Sequence, residues 1–385
     1  MHPALRISPT LRHDVIEEAA ATYEHRSVNP MDASFTSSSR CRSIWQRMAR
    51  RLTSKVGAYG ATAVIGLSVL TAQCPPPGPT LPPDGSGARF SFAVIPDTQN
   101  ETYGGEVRMQ KRVSWLLANR DRLDLRWALH SGDVHNWTTP PTNDQFSAMS
   151  QWLRPLDTAG VPYMLTVGNH DTGAVCPGGS ACPGEDASVG LRDTSVWNAY
   201  YSPARFGFGG VFEAGKSDNG WRTFAAGGKD WLVLSLELWP RTAVIGWAKQ
   251  VVASHPSHNV IVVTHAFLDS YGRVSTSNGG YGANSPATLW NALDDYPNVV
   301  MTFDGHVGQG ARTVSLTAAD GHRMAASSGH FHDPALNPTR VVTIDPDAGT
   351  IYTSIVANYN RSTGQNVNYE YTQYRATITG MRFVD

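Results

Sequence analysis

Five apolar runs in this sequence each close on a side chain able to bind a metal ion. "SFAVIPD" closes on Asp97, "LRWALHSGD" on Asp133, "VPYMLTVGN" on Asn169, "NVIVVTH" on His265 and "NVVMTFDGH" on His306. Asn and Asp beside Gly are common turn formers, which accounts for one such stretch. It does not account for carboxylates, an amide and imidazoles repeated at the ends of five runs. Oxygen and imidazole donors without thiolates suit Zn, Mn or Fe. A site holding two such ions needs a shared carboxylate, and Asp133 in "SGDVHNW" is placed to be it.

The intervening residues supply the elements that must position these groups. "EVRMQKRVSWLLANR", "FSAMSQWLRPLDTAG", "AVIGWAKQVVAS" and "SPATLWNALDDY" carry apolar residues at helical spacing, while the apolar runs are short and β-rich. Strands alternating with helices of this length indicate an α/β domain with largely internal strands. The carboxyl ends of strands in such a sheet share one edge, where ligands bind. After Gly310 the pattern turns to β alone, in "ARTVSL", "RMAASSG", "TRVVTIDP" and "TIYTSIVANY".

At these residues the chain resembles the calcineurin-like metallophosphoesterases, whose pattern is D-x-H, G-D, G-N-H-D/E, a lone H and then G-H-x-H. The corresponding stretches are "DTQ" (97–99), "GDVH" (132–135), "GNHD" (168–171), "VVTHAF" (262–267) and "GHVG" (305–308), in the family's order. The resemblance implies two mixed β-sheets packed as a sandwich and flanked by helices, here with a β-rich C-terminal part. It implies two divalent cations (Mn, Fe or Zn) and a phosphorylated substrate, a phosphomonoester or phosphodiester cleaved by metal-activated water. Carried over by position, Asp97 and Gln99 bind the first ion and Asp133 bridges. Asn169, His265 and His306 bind the second, and His170 faces the phosphate.

Two departures fall on the first metal. Gln99 stands where the family has a histidine, and its carbonyl oxygen is a harder donor than imidazole; D-x-Q does resemble one branch of the superfamily. Gly308 stands at the second histidine of G-H-x-H and offers no side-chain ligand, so the first site is expected to be weak. "SSGHFHDP" holds a literal G-H-x-H ending at His332, and His330 or His332 is a candidate substitute ligand. The motif itself is assigned to His306, because "NVVMTFDGH" supplies the stronger preceding strand. Packing is expected for His130 and His135, and a loop-fixing role for Asp171. The tryptophans of "WPRTAVIGWAKQ" are assigned to the core or its edge. Asp269, Tyr271 and the segments 176–190 and 269–284 are candidates to shape the substrate site. A catalytically degenerate member of the fold, acting as a binding module, is the rival reading, and Gly308 is the residue in its favour.

The formal charge of −1 over 385 residues hides an asymmetry. Residues 1–55 hold nine Lys/Arg against five acids, and the remainder, with 22 against 27, is net −5. That acidic body offers no basic patch for nucleic-acid backbone. "MARRLTSK" followed by "VGAYGATAVIGLSVLTAQC" has the layout of a secretory signal peptide. Residues 1–74 are therefore expected to be an N-terminal extension and signal segment, with translation starting at Met48. Residues 75–88 form a Pro/Gly linker, and residues 89–385 the phosphoesterase domain. The expected location is secreted or cell-envelope, with membrane attachment only through the N-terminal segment or a lipidated Cys74. Export suits a disulfide between Cys176 and Cys182 in "CPGGSAC".

Overall fold

The computed structural model describes residues 88–102, 105–138 and 143–385. The N-terminal extension, the Met48 start, the signal segment, Cys74 and the linker up to residue 87 lie outside the described residues.

The strands in chain order are β1 (Phe90–Ile95), β2 (Leu125–His130), β3 (Tyr163–Leu165), β4 (Val175–Cys176), β5 (Ser180–Ala181), β6 (Gly210–Val211), β7 (Gly220–Ala226) and β8 (Lys229–Ser235). They continue with β9 (His258–Val263), β10 (Val299–Asp304), β11 (Gly310–Thr317), β12 (Arg323–His330), β13 (Thr339–Asp345), β14 (Thr350–Asn360), β15 (Gln365–Glu370) and β16 (Ala376–Thr379). One sheet has the order β15-β14-β13-β1-β2-β3, with β16 also on β14; the other has the order β11-β12-β10-β9-β8-β7-β6. Parallel pairing joins β1 to β2 and β2 to β3 in the first sheet, and β8 to β9, β9 to β10 and β10 to β12 in the second. The fold is thus the mixed α/β sandwich that the motifs imply.

Alternation along the strands builds its layers. In β1, Phe90, Phe92 and Val94 point between the sheets and meet Trp231, Val263 and Phe303 of the second sheet, while Ala93 and Ile95 point outward. Phe90 packs edge-on to Trp231 at 5.1 Å and Phe92 edge-on to Phe303 at 5.4 Å. Helices Arg108–Ala118 and Asp144–Ala159 cover the outward face through Met109, Val113 and Leu116, and through Phe146, Met149, Leu153 and Leu156. Gly160, left-handed at φ 63°, ends the second of these, as C-terminal glycines commonly do. Helices Thr242–Ser254 and Pro286–Leu293 bury Val244, Ala248, Val252 and Leu289 on the far side of the second sheet.

The one strand whose strength the composition understated is β12. Its Ala and Ser residues are small, yet all but Arg323 are buried, because β10 and β11 pair with it on either side. It runs parallel to β10 and so delivers His330 to the same edge as His306.

Candidate metal centre

Six parallel-running strands, three from each sheet, end at one edge of the sandwich. β1, β2 and β3 lead to Asp97, Asp133 and Asn169; β9, β10 and β12 lead to His265, His306 and His330. Contacts across the sandwich join the two sets. His265 Nε2 lies 3.1 Å from Asp133 Oδ1, and the His306 backbone N–H donates to Asp97 Oδ2 at 3.1 Å.

Glycine makes this approach possible. A β-carbon on Gly305 would stand 2.0 Å from Asp97 Oδ1, and one on Gly168 would stand 2.1 Å from Asp133 Oδ1. One on Gly132 would stand 2.3 Å from His265 Nδ1. The glycines that precede Asp133, Asn169 and His306 are thus clearance for the neighbouring ligand group. Asp133 and His306 themselves adopt positive φ, 50° and 66°, a conformation that costs a non-glycine residue roughly 1–3 kcal/mol and concentrates at functional sites.

Two clusters result. Asp133, His265 and His306 offer donor atoms within 4.8 Å of one another, and so do Asp97, His330 and His332. Asp133 faces both: Oδ1 is on the His265 side, and Oδ2 accepts from Gln99 Nε2 at 3.3 Å. Asp97 Oδ1, Gln99 Oε1 and Asn169 Oδ1 are buried without a hydrogen-bond partner. Unsatisfied buried polar atoms cost about 1–3 kcal/mol each. Such atoms on Asp97, a member of one cluster, and on Gln99, which touches Asp133, fit an arrangement built around cations.

The histidines are oriented from behind. His265 Nδ1 meets the Ser131 carbonyl at 2.9 Å, and His170 Nδ1 meets the Asn136 carbonyl at 2.8 Å. His330 Nδ1 contacts the Gly308 carbonyl. A ring N–H held by a carbonyl leaves Nε2 with its lone pair, as metal-binding histidines require. His170 stays outside both clusters, with Nε2 3.9 Å from Asp133 Oδ2.

The electrostatics are mutual. Burial raises the Asp133 carboxyl, but His265 and His170 outweigh it and hold the group well below the usual carboxylate range. Burial lowers His265, and Asp133 overrides this to push it up to about 10. Burial raises Asp97 to about 6 against the opposing His330 and His265. His306 is driven down to about 3 by burial and by His265, and His332 to about 4 by burial and by His330. His306 and His332 are thus neutral donors, while the proton on His265 balances the Asp133 carboxylate and is what a divalent cation bound there would displace.

The remaining candidates take structural places. Asp171 is fully buried and accepts from Gly168 N, Val134 N and His135 N, tying the 168–171 loop to the 132–135 loop. His135 packs on Phe146 and bridges Asp171 to the Tyr201 hydroxyl. His130 is buried against Thr98 Oγ1. Asp269 is turned into its own loop by Arg273 and the Tyr271 backbone, and Tyr271 is 79% exposed. Cys176 and Cys182 are bonded, closing the β4–β5 hairpin.

Composition gave no warning of two residues at the site. Asn136 holds His170 through both its carbonyl and its side-chain oxygen, the latter at 2.9 Å; its place three residues after Asp133 was the available signal. Trp239 is in the core as expected, but at φ 45° its ring meets His306 edge-on at 5.1 Å and Tyr281 at 4.9 Å.

Residues 90–309 match the calcineurin-like phosphoesterases. The uncharacterized protein YvnB of Bacillus subtilis (strain 168) is 23% identical over 244 residues, 60% of this chain. The chain spans only 16% of that relative's length. Among solved structures, a dimetal phosphatase from Danio rerio is similar at a TM-score of 0.43 and 13% identity, over 75% of this chain and 98% of that one. The sulfate thiohydrolase SoxB of Thermus thermophilus is similar at 0.40 and 9% identity, over 75% of this chain and 59% of that one. By the family match over more than half its length, with the ordered motifs meeting at one sheet edge, this chain belongs to the calcineurin-like phosphoesterase family.

Proposed function

We propose that this protein is an exported phosphoesterase that hydrolyses a phosphomonoester or phosphodiester with two divalent cations. The observation that carries the reading is that carboxylates from the first sheet and imidazoles from the second meet in two adjacent donor groups, Asp133 with His265 and His306, and Asp97 with His330 and His332. Asn169, His265 and His306 would hold one ion and Asp97 with Gln99 the other, Asp133 presenting one oxygen to each side. Bound cations supply Lewis-acid stabilisation of phosphoryl oxygens and an acidified water.

The chain's own groups do the rest. His265 is held by Ser131 and His170 by Asn136, so neither ring needs to reorganise when substrate arrives. His170, 16% exposed in its side chain, has no hydrogen-bond partner in the protein at Nε2, so in its protonated form that nitrogen could donate a hydrogen bond to a phosphoryl oxygen or a proton to the leaving oxygen. Trp239 and Tyr281 wall the His306 side and limit water there. Export is supported by the signal-peptide layout of the sequence and by the Cys176–Cys182 bond, which persists in oxidising compartments. Among the described residues no helix is long and apolar enough to cross a membrane.

Purified protein loaded separately with Mn, Fe, Zn and Mg should turn over p-nitrophenyl phosphate or bis-p-nitrophenyl phosphate. Turnover with at least one ion supports the reading. Bound metal with no turnover of either ester would favour the binding module that Gly308 suggests.

A further inference from the structure

Gly308 leaves the Asp97 side of the centre without the nitrogen ligand that the family's motif places there. The residue has φ +83°, which favours glycine, and it presents a backbone carbonyl toward His330. The strand β12 compensates. It pairs parallel with β10, Asp304 opposite Ser328, so its last residue, His330, arrives beside Asp97. His332 lies two residues on, its ring 4.2 Å from that of His330.

The distances describe a donor set. His330 Nε2 is 3.5 Å from Asp97 Oδ2 and 3.1 Å from His332 Nε2. Asp97 is 3% exposed and its Oδ1 has no partner, and neither has Oε1 of Gln99, itself 2% exposed. The contact of His330 Nδ1 with the Gly308 carbonyl fixes the tautomer that leaves Nε2 a lone pair. The two Nε2 atoms, 3.1 Å apart, face the same point beside Asp97, where one cation could take both.

We propose that His330 and His332 take over the role of the absent motif histidine and, with Asp97, Gln99 and Asp133, bind the first divalent cation. The inference rests on the dimetal reading above and goes beyond it by rebuilding one of its two sites from a strand outside the matched residues 90–309. The two imidazoles restore the nitrogen donors that Gln99 and Gly308 remove, which favours Mn, Fe or Zn over Mg.

The test counts ions. Wild type, His330→Ala, His332→Ala and His306→Ala are loaded with Mn(II), freed of excess metal and measured by elemental analysis and electron paramagnetic resonance. Circular dichroism melts in chelator verify the fold of each variant. Wild type should hold two ions per chain with a spin-coupled spectrum. His330→Ala and His332→Ala should each fall to about one ion with an isolated-ion spectrum, while His306→Ala loses the other ion. His332 lies nearer solvent than His330, so His332→Ala keeps the test open should His330→Ala fail to fold. Two coupled ions retained in both β12 variants would overturn the inference and leave the dimetal reading standing. A wild type that binds one ion, lost in His306→Ala and kept in His330→Ala, would overturn it as well. A wild type that binds none would overturn the dimetal reading itself, and this inference with it.

Discussion

His330 points its Nδ1 at the backbone carbonyl of Gly308, the residue that stands where the family motif carries its second histidine. The glycine thus orients a histidine instead of being one. The Asp97 side of the centre is therefore rich in imidazole although its motif is broken.

The two glycines flanking His306 should respond differently to a methyl group. Gly305→Ala places a β-carbon 2.0 Å from Asp97 Oδ1 and displaces a ligand group. At Gly308 the nearest atom is 3.5 Å away on Ser270, and only the positive φ of 83° is strained. Gly308→Ala should cost about 1 kcal/mol of stability and keep its metal. Gly305→Ala should lose metal as well as a larger amount of stability. Denaturant unfolding with metal analysis on both variants decides this, and equal effects would contradict the clearance argument.

His170 should matter to turnover and not to metal content. Its Nδ1 is held by Asn136 and it belongs to neither donor cluster. His170→Ala should retain two ions and lose about 10²–10⁴-fold in kcat, the range for a positioned acid. The loss should be smaller for esters with good leaving groups, which need no proton. A uniform loss across leaving groups would assign His170 to phosphate binding alone.

Arg108 clamps both loops of the first site, donating to the carbonyls of Asn100 and Asp333, beside Gln99 and His332. Glu106 fixes it at 2.9 Å and also meets Arg361. Burial raises the Glu106 carboxyl, but hydrogen bonds from Arg108 outweigh this and hold it below its usual 4.5. A depressed carboxyl stabilises the fold fully above about pH 4.5. The contribution fades as pH falls through the lower folded value. Glu106→Gln should therefore cost about 2 kcal/mol near pH 7 and progressively less below pH 4.5. A cost independent of pH would show that the pair does not act through charge.

The disulfide hairpin bears on His170 from a distance. Gly179 sits at its tip so close to Asn136 that a β-carbon would be 2.6 Å from Asn136 Oδ1, and Asn136 holds His170. The double variant Cys176→Ser, Cys182→Ser should lose about 2 kcal/mol for so short a loop. It should also lower kcat more than it raises KM, because the His170 ring is less firmly held. Unchanged kcat beside a lower Tm would confine the disulfide to stability.

The chemistry of the centre was legible in the sequence because its residues are local to strand ends. An apolar run followed by Gly-Asp, Gly-Asn-His-Asp or Gly-His states both the strand and the donor at its tip. The order of those runs was enough to expect the sandwich and the family. Packing for His130 and His135 and the bracing role of Asp171 followed from their positions beside those tips.

What the sequence could not state was which distant groups share a cluster. Proximity of His330 to Asp97 depends on β12 lying parallel to β10, a pairing that Ala and Ser residues do not advertise. Arg108 reaching Asp333 and Gly179 reaching Asn136 depend likewise on loops brought together by the two sheets. Residue type and spacing determined that this chain presents metal-binding groups along one edge. Only the tertiary structure decided how they divide into two donor sets, because strand pairing, and not distance along the chain, brings donor atoms within reach of one ion.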